Sequence, residues 1–430
     1  MCSINFNLLS KFKIQSDNNK LLSNLPEETQ CINYLQPSFK PSQNYIIDEQ
    51  VLNDLEIFSG IDSDENSVFN KINKTITLCG KLYLKNIIHN PTNDITVLKN
   101  RQNIITELNK NTELFKYIKE TLNKFKDIES ELLWLINDKT SEEQKLIDSV
   151  YFDNKYLKPF NNQDEFLNIY SYFKIVFAPL YGLLSPIIFL ILPYLYLYFF
   201  TNIKFDIKAY IKIFKMTFLG GFNMFSSNSS KVNISKYFSM FISFVIYIQN
   251  FMNTLQLAKN TNNIIDIIHA KLNKVKIFVS ESNNLFEKCS QIFNLDYLET
   301  KIDLLNNSLF DTEPFLFSNK GTILVAYNNI LKNSTIFSDI FKNIGLIDCY
   351  SSILSLFNDN NEHNNHKISH VKYLQSNSPN INVKNVWHPY LIDKTIITND
   401  INIGNKNPNN VILTGPNAGG KSTFIKSITI

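Results

Sequence analysis

Near the end of the chain stand Gly415-Pro416-Asn417-Ala418-Gly419-Gly420-Lys421-Ser422. The pattern G-x-x-x-x-G-K-S is the spacing of a loop that cradles the phosphates of a nucleoside triphosphate. Gly415 permits a sharp exit from the apolar run Val411 to Thr414, which reads as a buried parallel strand. Gly419 and Gly420 let backbone N–H groups approach phosphate oxygens with no Cβ in the way. A helix from about Lys421 through Ile425 and Ile428 would aim its positive dipole end at the anion. Lys421 is expected at the β- and γ-phosphates of ATP, and the Ser422 hydroxyl at Mg²⁺. The binding residues expected are therefore Gly415, Pro416, Asn417, Ala418, Gly419, Gly420, Lys421, Ser422 and Thr423. The sequence ends at Ile430, inside the helix that follows the loop. An acidic metal-binding strand, a residue to orient attacking water and the other strands of an α/β sheet would lie downstream. No catalytic residue is assigned in this chain, and a fragment or one half of a split gene is expected.

Other reactive residues carry weaker signals. His363, His366 and His370 have a spacing that could hold a metal, but they sit in the Asn-rich stretch Asn358–His366, which reads as a solvated loop. His388, before Pro389, is expected to shape a domain entry and not to move protons. Cys2, Cys31, Cys79, Cys289 and Cys349 are far apart in sequence, with no Cys-x-x-Cys. They read as reduced thiols of an intracellular protein. The N-terminus shows no signal-peptide pattern. Net charge is +3, which excludes a histone-like binder but leaves a local basic patch open. Arg101 is the only arginine, so direct readout of base edges is not expected, while backbone contact through lysines is.

The elements that must position these residues are mainly helices. Leu98, Ile104, Ile105 and Leu108 fall at helical spacing, as do Leu114, Ile118, Leu122 and Phe125. Pro91-Thr92-Asn93-Asp94 looks like a helix start capped by Asn or Thr. Ile175 to Phe200 is 26 residues without a charge, interrupted by Pro179, Pro186 and Pro193. A membrane helix needs about 20 such residues and tolerates proline better than a soluble one. A weaker uncharged run, Tyr237 to Ala258, contains Gln249, Asn250, Asn253 and Gln256. Between the runs lie Lys204, Lys208, Lys212, Lys215, Lys231 and Lys236 against Asp206. The positive-inside rule keeps such a loop cytosolic, whereas a hairpin with both ends in the cytosol puts it outside. Two spanning helices, a helix lying in the interface and a buried soluble hairpin all remain open. The lysines suit anionic lipid or nucleic acid, with lipid favoured beside an apolar run. Tyr194–Phe200 could be an interfacial aromatic belt or plain core.

The longer pattern Gly415–Thr423, Gly-Pro-Asn-x-Gly-Gly-Lys-Ser-Thr, is similar to that of the MutS family of mismatch-repair ATPases, with Ala418 where Met is usual. Trp387-His388-Pro389, then Thr398-Asn399-Asp400-Ile401, resembles the start of the family's ATPase domain. Ser67–Leu108 resembles the opening of its core, through Val68-Phe69-Asn70, Thr75 to Gly80, Leu84, Pro91, Asp94 and Arg101-Gln102. Ile344 to Leu356, with Asp348, resembles the helix that closes the lever. The resemblance covers roughly 50–125 and 290–430. It implies a mainly α chain: a long helical core and lever followed by the start of an α/β, ATP-binding-cassette-like P-loop ATPase domain. The expected domains are an N-terminal extension 1–50, a helical core 51–170, an apolar insertion 171–259, a lever return 260–357 and the ATPase start 368–430. It also implies ATP and Mg²⁺ as cofactors, mismatched DNA as a partner and a dimer with a MutS-like subunit. Ile396 falls where the family stacks an aromatic on adenine. Two departures stand out. Residues before 50 have no room for a mismatch-reading domain, and the apolar runs occupy the place of a DNA clamp. The alternatives are a membrane-attached MutS-related ATPase, touching lipid through 175–200 and 237–258 without reading mismatches, and a half-subunit lending its phosphate loop to a partner.

Overall fold

The computed structural model describes residues 47–60, 67–200, 206–215, 231–293, 319–332, 334–363, 368–375, 380–389, 396–404 and 408–430, with a few isolated positions. The chain is mainly helical. In order come α1 (Glu49–Asp54), α2 (Val68–Ile72), α3 (Leu78–His89), α4 (Ile95–Lys110), α5 (Thr112–Ile136), α6 (Ser141–Asp148), α7 (Asp164–Tyr172), α8 (Ala178–Phe200), α9 (Ile207–Lys215), α10 (Lys231–Cys289), α11 (Lys320–Lys332), α12 (Thr335–His363), β1 (Ile381–Val386), β2 (Asn399–Ile403) and α13 (Lys421–Thr429). A π-helical turn, Phe173–Phe177, joins α7 to α8.

These residues fall into two compact units. One comprises 25–137, 274–306 and 333–430. Its helices start where the sequence supplies acceptors for otherwise orphaned amides: Ser67, Thr77, Asp94 and Asn111 each accept a first-turn N–H. The cap of α4 is Asp94, not Asn93 or Thr92: its carboxylate accepts from Thr96 N at 2.8 Å. The predicted stripes are the ones that pack. Ile104, Ile105 and Leu108 of α4, and Ile118, Leu122 and Phe125 of α5, are buried. Phe125 meets Phe278 of α10 at 4.9 Å between ring centroids, and Phe278 meets Phe341 of α12 at 5.7 Å. α12 packs chiefly on α3. It runs through His363, so Asn358–His363 is helix and not the start of a loop. Asn and Asp are poor but tolerated in a helix, and here they extend one already fixed by packing. β1 and β2 form an antiparallel pair with Val383 opposite Ile401. Val411–Thr414 joins no sheet, contrary to expectation: Ile412 is 90% exposed, and no described strand offers it ladder partners. A strand is defined by such a partner, which an apolar run cannot supply for itself.

The other unit comprises 138–273 and 307–332. Thr140 and Glu143 close a capping box at the start of α6. α11 packs on α7 at Gly321, whose N–H donates to Asn168 Oδ1 at 2.6 Å. A Cβ at Gly321 would stand 2.1 Å from Asp164 O, so only glycine permits this approach. Tyr151 Oη donates to Leu324 O at 2.8 Å. The uninterrupted helical stretch Asp164–Phe200 has a mean hydropathy of 2.4, and only 6% of its most apolar window is buried. By length and composition Phe337–Asp359 also qualifies as a span, but it is 72% buried and serves as core.

Candidate functional site

α13 starts at Lys421 from a left-handed Gly420, with φ 79°. Before it the chain turns tightly: Gly419 N donates to Pro416 O at 3.2 Å, and Ala418 also sits at positive φ, 60°. A left-handed alanine costs on the order of 1–2 kcal/mol, the kind of strain that gathers at ligand-holding loops. The Lys421 ammonium folds back into the loop and donates to Gly415 O at 2.7 Å and Pro416 O at 2.6 Å. Thr423 and Ser422 are exposed in the first turn, and 411–420 are exposed throughout. No side chain caps α13. The sequence-predicted residues thus lie together, as a turn wrapped around one ammonium at an open helix N-terminus. The site's glycines are fitted to that shape. A Cβ on Gly419 would stand 3.0 Å from Pro416 O, and Gly420 has open space around it but a backbone that disfavours side chains. The donor set, backbone amides with one ammonium and one hydroxyl, fits a triphosphate with Mg²⁺.

Further along α13, Lys426 Nζ donates to Glu56 Oε1. His388 is buried beside this pair. Burial, then Lys426, hold its imidazole below its usual value. It therefore lies inside the protein. Trp387 and Ile396 are both half-buried. His370 lies tilted on the Phe357 ring, at 5.2 Å between centroids. His363 ends α12, and His366 lies outside the described residues. Among the described residues no three His, Cys, Asp or Glu side chains gather as a metal site.

A second polar cluster is fully internal. Asp348 of α12 accepts from Thr77 N and Thr77 Oγ1, both at 2.7 Å, and from Ile76 N at 3.1 Å. Glu129 of α5 accepts from Leu78 N at 2.8 Å and Cys79 N at 3.0 Å. Thr77 Oγ1 in turn accepts from Gly80 N at 3.0 Å. Burial pushes the Asp348 carboxyl up to about 6, against the donors of Thr77 and Ile76, which pull it down. Burial and then Glu129 push the Cys79 thiol up, and burial moves Cys349 the same way, which favours the neutral thiol at both. Arg101 hydrogen-bonds Tyr350, so the sole arginine is engaged within the helical core. Glu129 was not legible as a functional residue. Its only mark is an acid on the core stripe with Leu122, Phe125, Leu132 and Leu133.

The segment built around this cluster, residues 50–160, matches the model of MutS domain III. Over this segment and beyond it the chain is similar to proteins of the MutS family. It is 37% identical over 115 residues to the DNA mismatch repair protein MutS of Prochlorococcus marinus, covering 26% of this chain and 12% of that protein. It is 33% identical over 96 residues to the DNA mismatch repair protein MSH3 of Lodderomyces elongisporus, covering 22% and 9% respectively. A longer match, 24% identical over 428 residues, covers 91% of this chain and 40% of MSH3 of Candida albicans. The chain thus spans less than half the length of the curated relatives it matches. No solved structure matches it.

Proposed function

We propose that this chain is an ATP-binding protein of the MutS family acting in DNA mismatch repair, and that Gly415–Thr423 hold the phosphates of Mg²⁺·ATP. The observation that carries the reading is the open start of α13, where an exposed turn leads into a helix that no side chain caps and Lys421 is gathered against Gly415 and Pro416. In this role the amides of 417–422 and the helix dipole hold the anion, Lys421 turns from its carbonyls to the β- and γ-phosphates, and Ser422 holds the metal. Bound Mg²⁺·ATP supplies the negative charge and the transferable phosphoryl group. The residues from 368 onward then form the start of a P-loop ATPase domain, with 51–357 as core and lever around the insertion. An intracellular chain of this kind works as a dimer with a MutS-like subunit on mismatched DNA, the substrate class named in its relatives.

Binding of a fluorescent ATP analogue to the whole chain in the presence of Mg²⁺ tests the site. Replacing Lys421 with Ala removes a charge-assisted contact and is expected to weaken binding by about 10–100-fold. The far-UV circular dichroism of the helices should not change. Equal affinity in the two proteins refutes the assigned role.

A further inference from the structure

We propose that α8 and the first part of α10 are embedded in a lipid bilayer as an antiparallel helical pair crossing its hydrocarbon core. Three independent features of the unit formed by 138–273 and 307–332 point to this partner.

The first is the surface. Large apolar side chains are exposed around most of α8, including Leu180, Ile187, Phe189, Leu192 and Phe199, and Phe241, Phe244 and Ile248 are exposed on α10. A helix apolar nearly all round is not a surface helix of a soluble domain. The face that is covered is the one between the two helices. There Gly182 approaches so closely that a Cβ would stand 3.0 Å from Thr254 Oγ1, the small-residue packing used where lipid surrounds both helices. Of the amides in the second run, Asn253 and Gln256 are half-buried, while Gln249 and Asn250 stay exposed.

The second is how the prolines are accommodated. Pro186 removes the donor that Gly182 O would otherwise receive, and Ser185 Oγ donates to that oxygen at 3.0 Å. One residue further, Leu183 O accepts from Tyr247 Oη of α10 at 2.7 Å. Near Pro193, Leu190 O accepts from Tyr210 Oη of α9 at 3.0 Å. In water these carbonyls would be solvated without help. In hydrocarbon a freed carbonyl must find a protein donor, as Gly182 O does in Ser185, and the neighbouring Leu183 O and Leu190 O, which no proline frees, each take a tyrosine hydroxyl from another helix.

The third is where the charges stop. Lys174 and Lys259 bound the two uncharged stretches at one end, and Lys236 bounds the second at the other. α9 folds back so that Tyr210 meets Leu190 and, at 5.2 Å between rings, Tyr194. This sets the exposed Lys208 and Lys212 near the same far level, beside Tyr194, Tyr196 and Tyr198. From Lys174 to the level of Leu190–Tyr194 the helix rises about 24–30 Å, the thickness of a hydrocarbon core. Tyrosines and lysines together at that level are an interfacial belt.

The test uses the whole chain. It is expected to float with vesicles of pure phosphatidylcholine and to remain bound through high salt and alkaline carbonate. Ile187 and Phe244 are 55% and 58% exposed, near mid-depth of the pair. Ile187→Lys combined with Phe244→Lys should lower the vesicle-bound to free ratio by at least about 100-fold. Ile187→Leu with Phe244→Leu should bind like the parent, which separates lost insertion from lost folding. Release of the parent chain by salt or carbonate would make the contact interfacial and overturn the crossing. A lipid-free, detergent-free, monodisperse oligomer would assign the apolar face to a second copy and overturn it as well. Undiminished binding of the double lysine variant would do the same.

Discussion

The starts of α3 and α13 present the same kind of orphan backbone donors, and the chain treats them in opposite ways. At α3 every first-turn amide is answered from inside the protein: Glu129 takes Leu78 and Cys79, Thr77 takes Gly80, and Asp348 takes Thr77 and Ile76. At α13 no side chain caps the helix, the preceding turn is exposed, and the nearest cation is tied to the loop's own carbonyls. The glycines mark the same contrast. Gly80 leaves room for a neighbour, since its Cβ would stand 2.1 Å from Asp348 Oδ2, whereas Gly420 is glycine for its backbone angle alone. A helix start closed by protein acids holds a fold together. One left open can bind an anion supplied from outside.

The largest way to break this contrast is Asp348→Ala. It strands buried donors of Thr77 and Ile76 and is expected to destabilise the fold by about 3–5 kcal/mol in denaturant unfolding. A loss under about 1 kcal/mol would mean that water replaces the carboxylate and that the start of α3 is not sealed.

Next comes pH. The folded-state value of the Asp348 carboxyl, about 6, lies above its ordinary 3.8, so the folded protein keeps this proton longer than the unfolded chain does. Its contribution to stability is therefore fullest below about pH 4 and declines as the pH rises towards 6. Relative to Asp348→Asn, the parent should lose on the order of 2–3 kcal/mol between pH 4 and pH 6.5. Parallel pH profiles for the two proteins would place the titration elsewhere.

The smallest effects sharpen the comparison most. Gly80→Ala drives a methyl into Asp348 and should cost about 1–3 kcal/mol of stability. Gly420→Ala meets no atom, and only its left-handed backbone resists, by about 1 kcal/mol confined to the loop. Thermal unfolding should separate the two variants, while nucleotide binding should suffer in Gly420→Ala despite a nearly unchanged melting temperature. Equal melting shifts would remove the distinction between a closed and an open helix start.

Much of the helical part was legible because its cause is local. The apolar spacing of α4 and α5 and the uncharged stretch in α8 are properties of neighbours in sequence. The residues of the open loop were legible for the same reason: glycines and a lysine at fixed offsets make one turn. The choice of Asp94 as cap and the extension of α12 through His363 were missed, the first by a residue or two and the second because packing carries a helix into polar sequence.

Sequence by itself determined that this chain would be helical, that the glycines and lysine near its end would lie in one turn, and that one stretch was unusually apolar. Only the tertiary structure decided that Glu129 and Asp348, far apart along the chain, share the start of α3, that Val411–Thr414 pairs with no strand among the described residues, and that Tyr247 and Tyr210 answer carbonyls beside prolines in another helix. The physical reason is that a hydrogen bond is satisfied by whichever group arrives within reach, and which group arrives is settled by the packing of whole helices.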